Sequence, residues 1–178
     1  MSTVDLMLLG VLIQKPMNAY EMKKEMEHRN INKWIKISSP SVYKNLVKLY
    51  KSEYIDGETI REGEMPEKTI YTINEKGRNY FMQLMHQYSE NPGTIYVDFC
   101  AFISNLYCVD HETGLKMIEM LQDRLAFKLN TVENQLERMD GVSFYGTSVI
   151  TLYSQMYTVF CNWIEDFKKG YNDPSKNS

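Results

Sequence analysis

The chain has 178 residues, of which 43% are hydrophobic, and a formal net charge of -3, so it has enough apolar side chains for one or two modest cores. It contains no run of about 18 apolar residues and no basic segment ahead of an apolar stretch, so we expect neither a membrane span nor a signal peptide, and a cytoplasmic location. Three cysteines and three histidines lie without the spacing of metal ligands, so neither a metal site nor another cofactor is predicted.

The first helix is predicted from the dense apolar residues between positions 6 and 13. Ser2 or Thr3 is expected to cap its N-terminus, and Asp5 lies in the first turn, where the helix dipole favours a carboxylate. Pro16 follows the apolar run and is expected to end the helix. A helix with so many apolar residues is expected to be largely buried.

A second helix is predicted to begin near Asn18. Tyr20, Met22 and Met26 are the large apolar residues within it and are expected to face a core. The charged residues between them are expected to point into solvent. Its amphipathic pattern therefore indicates a helix that packs on one side only.

A basic segment follows at residues 30–52, which hold five lysines and no aspartate or glutamate. Its second half predicts an amphipathic helix with Ser39 as the N-cap and Pro40 at the first helical position, where a missing N–H costs nothing. One face of this helix is apolar, and the other carries cations and hydrogen-bond donors that suit phosphates and base edges. The apolar face is formed by Val42, Leu46 and Leu49, and the polar face by Ser41, Lys44, Asn45, Lys48 and Lys51.

This helix is a candidate for DNA recognition, although a lysine-rich face is also typical of a helix that is merely solvated. Lys44, Lys48 and the hydroxyl groups suit phosphates, and Asn45 suits an adenine edge. Tyr43 stays open between DNA contact and core packing, and Tyr20 stays open in the same way, with packing against this helix favoured. The candidate DNA contacts of the helix are Ser39, Ser41, Tyr43, Lys44, Asn45 and Lys48.

The charge of the chain is divided unevenly between its halves. Residues 1–80 carry 13 lysines and arginines against 11 aspartates and glutamates, whereas residues 81–178 carry 7 against 12. Any contact with DNA is therefore expected in the first half.

Two strands are predicted after the basic segment, at residues 58–62 and 67–73, and residues 63–66 have the composition of a turn. Three helices followed by a hairpin is the order of a winged helix-turn-helix. Arg61 and Lys68 would lie near the tip of the wing, within reach of a minor groove or a phosphate. The glutamates of this hairpin work against DNA attraction.

A further helix is predicted after Asn74, its N-cap, and ends at a polar break with proline and glycine at residues 89–93. The break divides the chain into a winged-helix domain with its linking helix at residues 1–89 and a helical domain at residues 90–178. The apolar segment 96–109 is expected to be a helix buried on most sides, and Asp110 to cap the helix after it. The predicted fold class is mostly α with a small β-hairpin wing.

Two long apolar stripes run through the last 70 residues, from Ile118 to Met139 and from Val149 to Phe167, with steps of three and four residues. They exceed what a unit of this size can bury alone, which predicts a homodimer formed through the C-terminal helices. The aromatic side chains of this half suit a cavity for a flat molecule, although such stripes are more often plain core. The candidate ligand residues are Tyr96, Phe99, Tyr107, Tyr153, Tyr157 and Trp163.

Three segments in order resemble the PadR-type transcriptional regulators: LMLLGVLIQKPMNAYEMKKEM, SPSVYKNLVKLYKSEYI and KTIYTINEKGRNYF. The chain departs from that family at Ala19 and Glu53, where the family usually has glycine, and at Asn74, where it usually has threonine. Glycine after a helix readily adopts a positive φ, so Glu53 must either tolerate such a φ or avoid it. The long acidic C-terminal half is similar to that of the longer subfamily.

The resemblance implies a homodimeric repressor that binds an inverted-repeat operator on double-stranded DNA and is released by a small hydrophobic or aromatic effector. A winged-helix adaptor that binds proteins and not DNA is the alternative, since the wing and the whole chain are acidic. No catalytic triad, carboxylate pair or phosphate-binding glycine loop stands out, so an enzyme is not expected.

Overall fold

A computed structural model describes residues 2–31, 35, 37–61, 67–173 and 175 of the chain. Contacts between Cα atoms divide the chain into two units, Met1–Ile95 and Tyr96–Ser178. The predicted domain boundary, after residue 89, lies slightly ahead of this division. Among the helices of the described residues, none has both the length and the apolar character to cross a membrane.

The first unit opens with helices whose N-termini are capped by side chains. Ser2 accepts a hydrogen bond from the Asp5 N–H at 3.1 Å and caps the first helix. Asn18 caps the second helix in a reciprocal arrangement, because the Glu21 carboxylate accepts from the Asn18 N–H. The elements of this part are α1 (Thr3–Gln14), β1 (Met17–Asn18), α2 (Ala19–His28) and α3 (Ser39–Lys51).

A three-stranded antiparallel sheet follows, with β3 (Lys68–Ile73) between β1 and β2 (Ile55–Ile60). In the hairpin, Ile55 lies opposite Ile73 and Ile60 lies opposite Lys68. The hairpin was predicted, but β2 begins earlier than expected because Ile55 is needed in the core. The pairing of β1 with β3 was not predicted. The predicted turn at residues 63–66 lies outside the described residues.

The core of the first unit joins α1, α2, α3 and the ends of the strands. Val42, Leu46 and Leu49 are buried, which confirms the predicted apolar face of α3. Every third or fourth residue of α3 therefore holds it to the rest of the unit. The other buried apolar residues are Leu8, Leu9, Val11, Leu12, Met17, Met22, Met26, Ile31, Ile55, Ile73 and Leu84.

The expectation that Tyr20 faces a core is wrong. Met22 and Met26 are buried, whereas Tyr20 is 54% exposed. Tyr20 precedes Met22 by two positions and therefore lies about 200° away around the helix. Its ring instead lies beneath the Lys24 ammonium, 4.7 Å from the ring centroid.

The helix after the hairpin, α4 (Glu75–Glu90), begins at the predicted cap. The Asn74 side chain accepts a hydrogen bond from the Gly77 N–H at 3.0 Å, and its amide donates to the Glu53 carbonyl and to the Asp56 carboxylate. Glu53 adopts a φ of +60°, so the residue that replaces the family's usual glycine does enter the left-handed region. Asn74 thus fastens the end of α3 to the start of α4.

In the second unit, the expected single buried helix over residues 96–109 is wrong. The segment forms a short helix, α5 (Phe99–Ile103), and a 3-10 turn (Leu106–Cys108). Leu106 is buried, but Tyr96 and Tyr107 are each 84% exposed. Asn105 and Ser104 donate side-chain hydrogen bonds to backbone carbonyls four residues earlier, and residues of this type often end a helix by such local bonds.

Two long helices, α6 (His111–Leu136) and α7 (Phe144–Tyr171), form the rest of the second unit. Asp110 caps α6 through the Thr113 N–H, as predicted. The core between the helices contains Ile118 and Leu125 of α6 and Ile164 of α7.

The predicted apolar stripe of α7 is divided between two faces. Phe160 and Phe167 pack against the core of the second unit, whereas Leu152 is 53% exposed. A second set of large apolar residues steps along the outer side of α7 by seven, four, three and four positions. We call this set the α7 seam: Tyr145, Leu152, Met156, Val159 and Trp163.

Candidate nucleic-acid interface

The N-terminus of α3 is built by a reciprocal cap, and the predicted cap at Ser39 is wrong by one residue. Ser38 has extended backbone angles, and its hydroxyl accepts from the Ser41 N–H at 3.4 Å. The Ser41 hydroxyl in turn accepts from the Ser38 N–H at 2.8 Å. Ser39 is therefore the first helical residue, and Pro40 occupies the second position, where its missing N–H is still outside the helical ladder.

The outward face of α3 is cationic. With about 100° per residue, Lys44 and Lys51 lie nearly opposite the buried face formed by Val42, Leu46 and Leu49. Both lysines are exposed, and within the described part of the chain neither has a carboxylate within ion-pair distance. They carry two positive charges that are available to a partner.

Val47 and Tyr43 complete this face and add apolar surface. Val47 is 44% exposed and Tyr43 is 43% exposed, so neither belongs to the core of the unit. Apolar side chains between cations can contact thymine methyl groups, while the cations contact phosphates. The prediction had left Tyr43 open, and the structure leaves its ring accessible.

Lys48 differs from the other lysines of α3, because its charge is paired within the fold. Its Nζ lies 2.7 Å from the Asp5 Oδ2, and the Tyr80 hydroxyl donates to the same oxygen at 3.3 Å. The hydrogen bond to Asp5 raises the pKa of Lys48 above its ordinary value, while burial opposes the change. Burial, assisted by the charge of Asp5, raises the pKa of the Tyr80 phenol.

Two further candidates also make internal hydrogen bonds. Besides its role in the cap, the Ser41 hydroxyl donates to the Ser38 carbonyl at 2.7 Å. The Asn45 amide donates to the Ser41 carbonyl, also at 2.7 Å. Its second N–H and its carbonyl oxygen remain as possible contacts for a base edge. The side chain of Ser39 lies outside the described residues.

The two candidates of the wing lie on either side of its tip. Arg61 is exposed and immediately follows β2, and Lys68 is half-buried at the start of β3. Ile60 pairs with Lys68 across the hairpin, so the two cationic residues leave the sheet at the same end. Glu62 and Glu64, expected to oppose DNA attraction, lie outside the described residues.

An aromatic stack supports α3 from the side of α4. The rings of Tyr54 and Tyr80 are nearly parallel, with centroids 4.3 Å apart, and the Lys76 ammonium lies 5.3 Å from the Tyr54 centroid. Tyr54 follows the turn that ends α3, and Tyr80 belongs to α4. The stack therefore limits how far the end of α3 can move relative to α4.

In the second unit, half of the six ligand candidates come together. The Phe99 ring stacks on Trp163 with centroids 5.6 Å apart, and it meets Phe160 edge-on at 5.4 Å. Phe160 also meets Tyr157 at 6.2 Å. Tyr153 is half-buried, and the exposed Tyr96 and Tyr107 lie outside this cluster.

Sequence reasoning omitted Lys51 and Val47 from the candidate contacts, although the outward face includes both. The spacing of the buried residues was a sufficient signal for Lys51, since it identifies the position opposite them. No sequence signal identified Asp5 as the partner of Lys48. The two residues are 43 positions apart and meet only through the packing of α1 on α3.

Residues 8–83 match the sequence model of the Transcriptional regulator PadR-like family. These residues, most of the first unit, are similar to the PadR-like family. The matched residues extend from α1 to α4 and include the whole hairpin. Members of this family are transcriptional regulators and not enzymes, and they contain the winged-helix fold that the order of elements had predicted. Among curated protein sequences, none matches the chain.

Solved structures with a similar fold cover nearly the whole chain. Bacillus subtilis PadR in complex with operator DNA has a TM-score of 0.80 at 17% identity, over 97% of this chain and 99% of that chain. The same protein in complex with p-coumaric acid has a TM-score of 0.81 at 16% identity, over 97% and 100%. The Vibrio cholerae virulence activator AphA has a TM-score of 0.68 at 15% identity, over 96% and 98%. At these identities the similarity extends to the fold alone.

Proposed function

We propose that this protein is a homodimeric, sequence-specific transcriptional repressor that binds an inverted-repeat operator and is released from it by a small aromatic or hydrophobic effector. The observation that carries the proposal is the outward face of α3, a cationic surface without carboxylates on the helix that a winged-helix unit inserts into the major groove. Residues 1–89 are the DNA-binding domain in this proposal, and residues 90–178 form the dimerisation and sensing domain.

The proposed contacts follow from the exposure of the side chains. Lys44 and Lys51 neutralise phosphates, and Tyr43 and Asn45 face the base edges. Arg61 and Lys68 reach the adjacent backbone or minor groove from the wing. The exposed Tyr20 phenol and the Ser39 hydroxyl donate to phosphates near the N-terminus of α3, where the helix dipole also attracts an anion. Ser41 joins them when its hydroxyl exchanges the Ser38 carbonyl for a phosphate oxygen.

Dimerisation is supported by the α7 seam. Leu152 and Val159 are 53% and 63% exposed, and Trp163 is 37% exposed. From Leu152 to Trp163 the α7 seam steps by four, three and four residues, as in a helix that packs against another helix. A second copy of the chain would cover this surface and would set two α3 helices about one DNA turn, roughly 34 Å, apart.

An effector is supported by the aromatic cluster of the second unit. Phe99, Tyr157 and Trp163 share a region with several partly buried rings, which would stack on a flat molecule inserted between the helices. The Bacillus subtilis PadR structure with p-coumaric acid supplies the first compound to test. Titration of this acid against tryptophan fluorescence, with Trp163→Phe as the control, measures binding in the second unit.

The decisive experiment is fluorescence anisotropy with DNA from upstream of the protein's own gene and with a length-matched scrambled duplex, across a salt series. Binding about 10³-fold tighter to the native sequence, with a strong salt dependence, supports the proposal. Equally weak binding to both duplexes contradicts it and favours a protein partner for the winged helix. A reporter gene behind the same DNA then separates repression, in which the signal falls, from activation, in which it rises.

A further inference from the structure

Asp5 is the buried polar residue at the junction of α1, α3 and α4. It has no exposed surface, and its Oδ2 accepts from Lys48 at 2.7 Å and from Tyr80 at 3.3 Å. Its Oδ1 has no hydrogen-bond partner among the described residues. The Lys48 ammonium is therefore the one cation that compensates this carboxylate within the part of the chain that the structure describes.

The energetics of burial hold Lys48 at Asp5. A phosphate in solvent offers a lysine a screened, exposed contact, whereas a departing Lys48 would leave a buried carboxylate without its counter-charge. The free energy lost by leaving the Asp5 carboxylate unpaired exceeds the free energy gained from the phosphate contact, because a buried charge has lost its hydration and needs a partner to replace it. Lys48 is expected to keep this contact when DNA approaches.

The position of Lys48 on α3 agrees with this conclusion. Lys44 and Lys51 lie about 180° from the buried face, whereas Lys48 lies about 120° from it, on the flank of the helix next to α1. Its side chain is 57% exposed, but its Nζ is turned to Asp5. Tyr80 attaches the same carboxylate to α4.

We propose that Lys48 is a positioning residue, which Asp5 retains within the fold to fix α3 against α1 and α4, and that the charge of Lys48 is not used to neutralise a DNA phosphate. The claim that Lys48 does not neutralise a phosphate rests on the proposed DNA-binding function. The claim that Lys48 positions α3 concerns the fold of the first unit and holds independently of DNA.

The test compares Lys48→Met with the double variant Asp5→Leu/Lys48→Met in the full-length chain. Lys48→Met removes the counter-charge, so its melting temperature is expected to fall by several degrees. The double variant replaces both charges with apolar groups of similar shape and is expected to recover most of that loss. A double variant no more stable than Lys48→Met overturns the positioning role.

DNA binding supplies the second readout, measured as the slope of log affinity against log salt on the native upstream duplex. The double variant is expected to keep the wild-type slope, whereas Lys44→Met lowers it by about one per bound protomer. A slope lowered by about one in the double variant overturns the proposal, because Lys48 would then be a phosphate contact. If the wild-type protein binds no DNA, the proposed function fails, while the melting temperatures still decide the role of the pair in the fold.

Discussion

Gly77 packs so closely on the backbone of Tyr54 that a Cβ atom added at Gly77 would lie 1.9 Å from the Tyr54 carbonyl oxygen. The same glycine donates its N–H to the Asn74 cap. The first turn of α4 therefore rests directly on the turn that leaves α3. This close approach fixes the exit of α3, and a side chain of any size would open it.

Gly77→Ala is expected to destabilise the first unit by about 3 kcal/mol, because the clash is with backbone and cannot be relieved by a rotamer change. Thermal unfolding followed by circular dichroism measures the loss. Gly10→Ala is the matched control, since a Cβ there would meet the Phe81 ring at 3.4 Å, an ordinary contact. This control is expected to be neutral or to gain up to about 1 kcal/mol from the helix propensity of alanine. Equal effects of the two substitutions would contradict the prediction.

Glu53→Gly is expected to stabilise the protein by up to about 1 kcal/mol, because Glu53 holds a positive φ that glycine adopts without strain. The lost ion pair with Lys76 is exposed on both sides and contributes little. Chemical denaturation gives the change in unfolding free energy. Ser52→Gly, at an ordinary φ of -88°, is the control and is expected to destabilise. A lower stability for Glu53→Gly would show that the strain at this residue is negligible.

Lys44→Ala is expected to weaken binding to native and scrambled duplexes alike, and to lower the salt slope by about one for each bound protomer, as loss of a phosphate contact should. Lys51→Ala is expected to behave in the same way. Lys128→Ala removes the same charge from an exposed position of α6 and serves as the control. If Lys44→Ala left the salt slope unchanged, Lys44 would not be a phosphate contact.

Val159→Glu is expected to dissociate the proposed dimer, because it introduces a charge into the middle of the α7 seam. Sedimentation velocity would then report a protomer of 21.0 kDa in place of a dimer. Thr158→Glu places the same charge on an exposed position of α7, about 100° around the helix from Val159 and outside the seam, and should leave the mass unchanged. A Val159→Glu protein that sediments as the wild type does would direct the search for the interface to another surface.

The helical elements were largely predictable because their signals are local. The Asn74 and Asp110 caps and the buried face of α3 follow from residues within one or two turns of the chain. The prediction of a single helix over residues 96–109 failed because it relied on apolar composition. Composition does not reveal that local side-chain hydrogen bonds at Ser104 and Asn105 end α5.

The candidate site was predictable in outline but not in detail. Helical spacing alone assigned Lys44 to the exposed face. The pairing of Lys48 with Asp5 depends on the tertiary packing of α1 against α3, which leaves no pattern in either segment. Tyr20 shows the opposite error, in which an aromatic residue was assigned to a core because of its type, although its position relative to Met22 excluded that face.

The pairing of Met17 with Tyr71 has a consequence for the order in which this unit folds. The β2–β3 hairpin joins residues that are near in sequence, so it can form within microseconds. The two-residue β1 must instead close a loop that contains α2, α3 and most of the hairpin. The chain loses the entropy of that closure before the contacts of β1 can stabilise the sheet. We therefore expect β1 to pair with β3 last, after β2 and β3 have formed the hairpin.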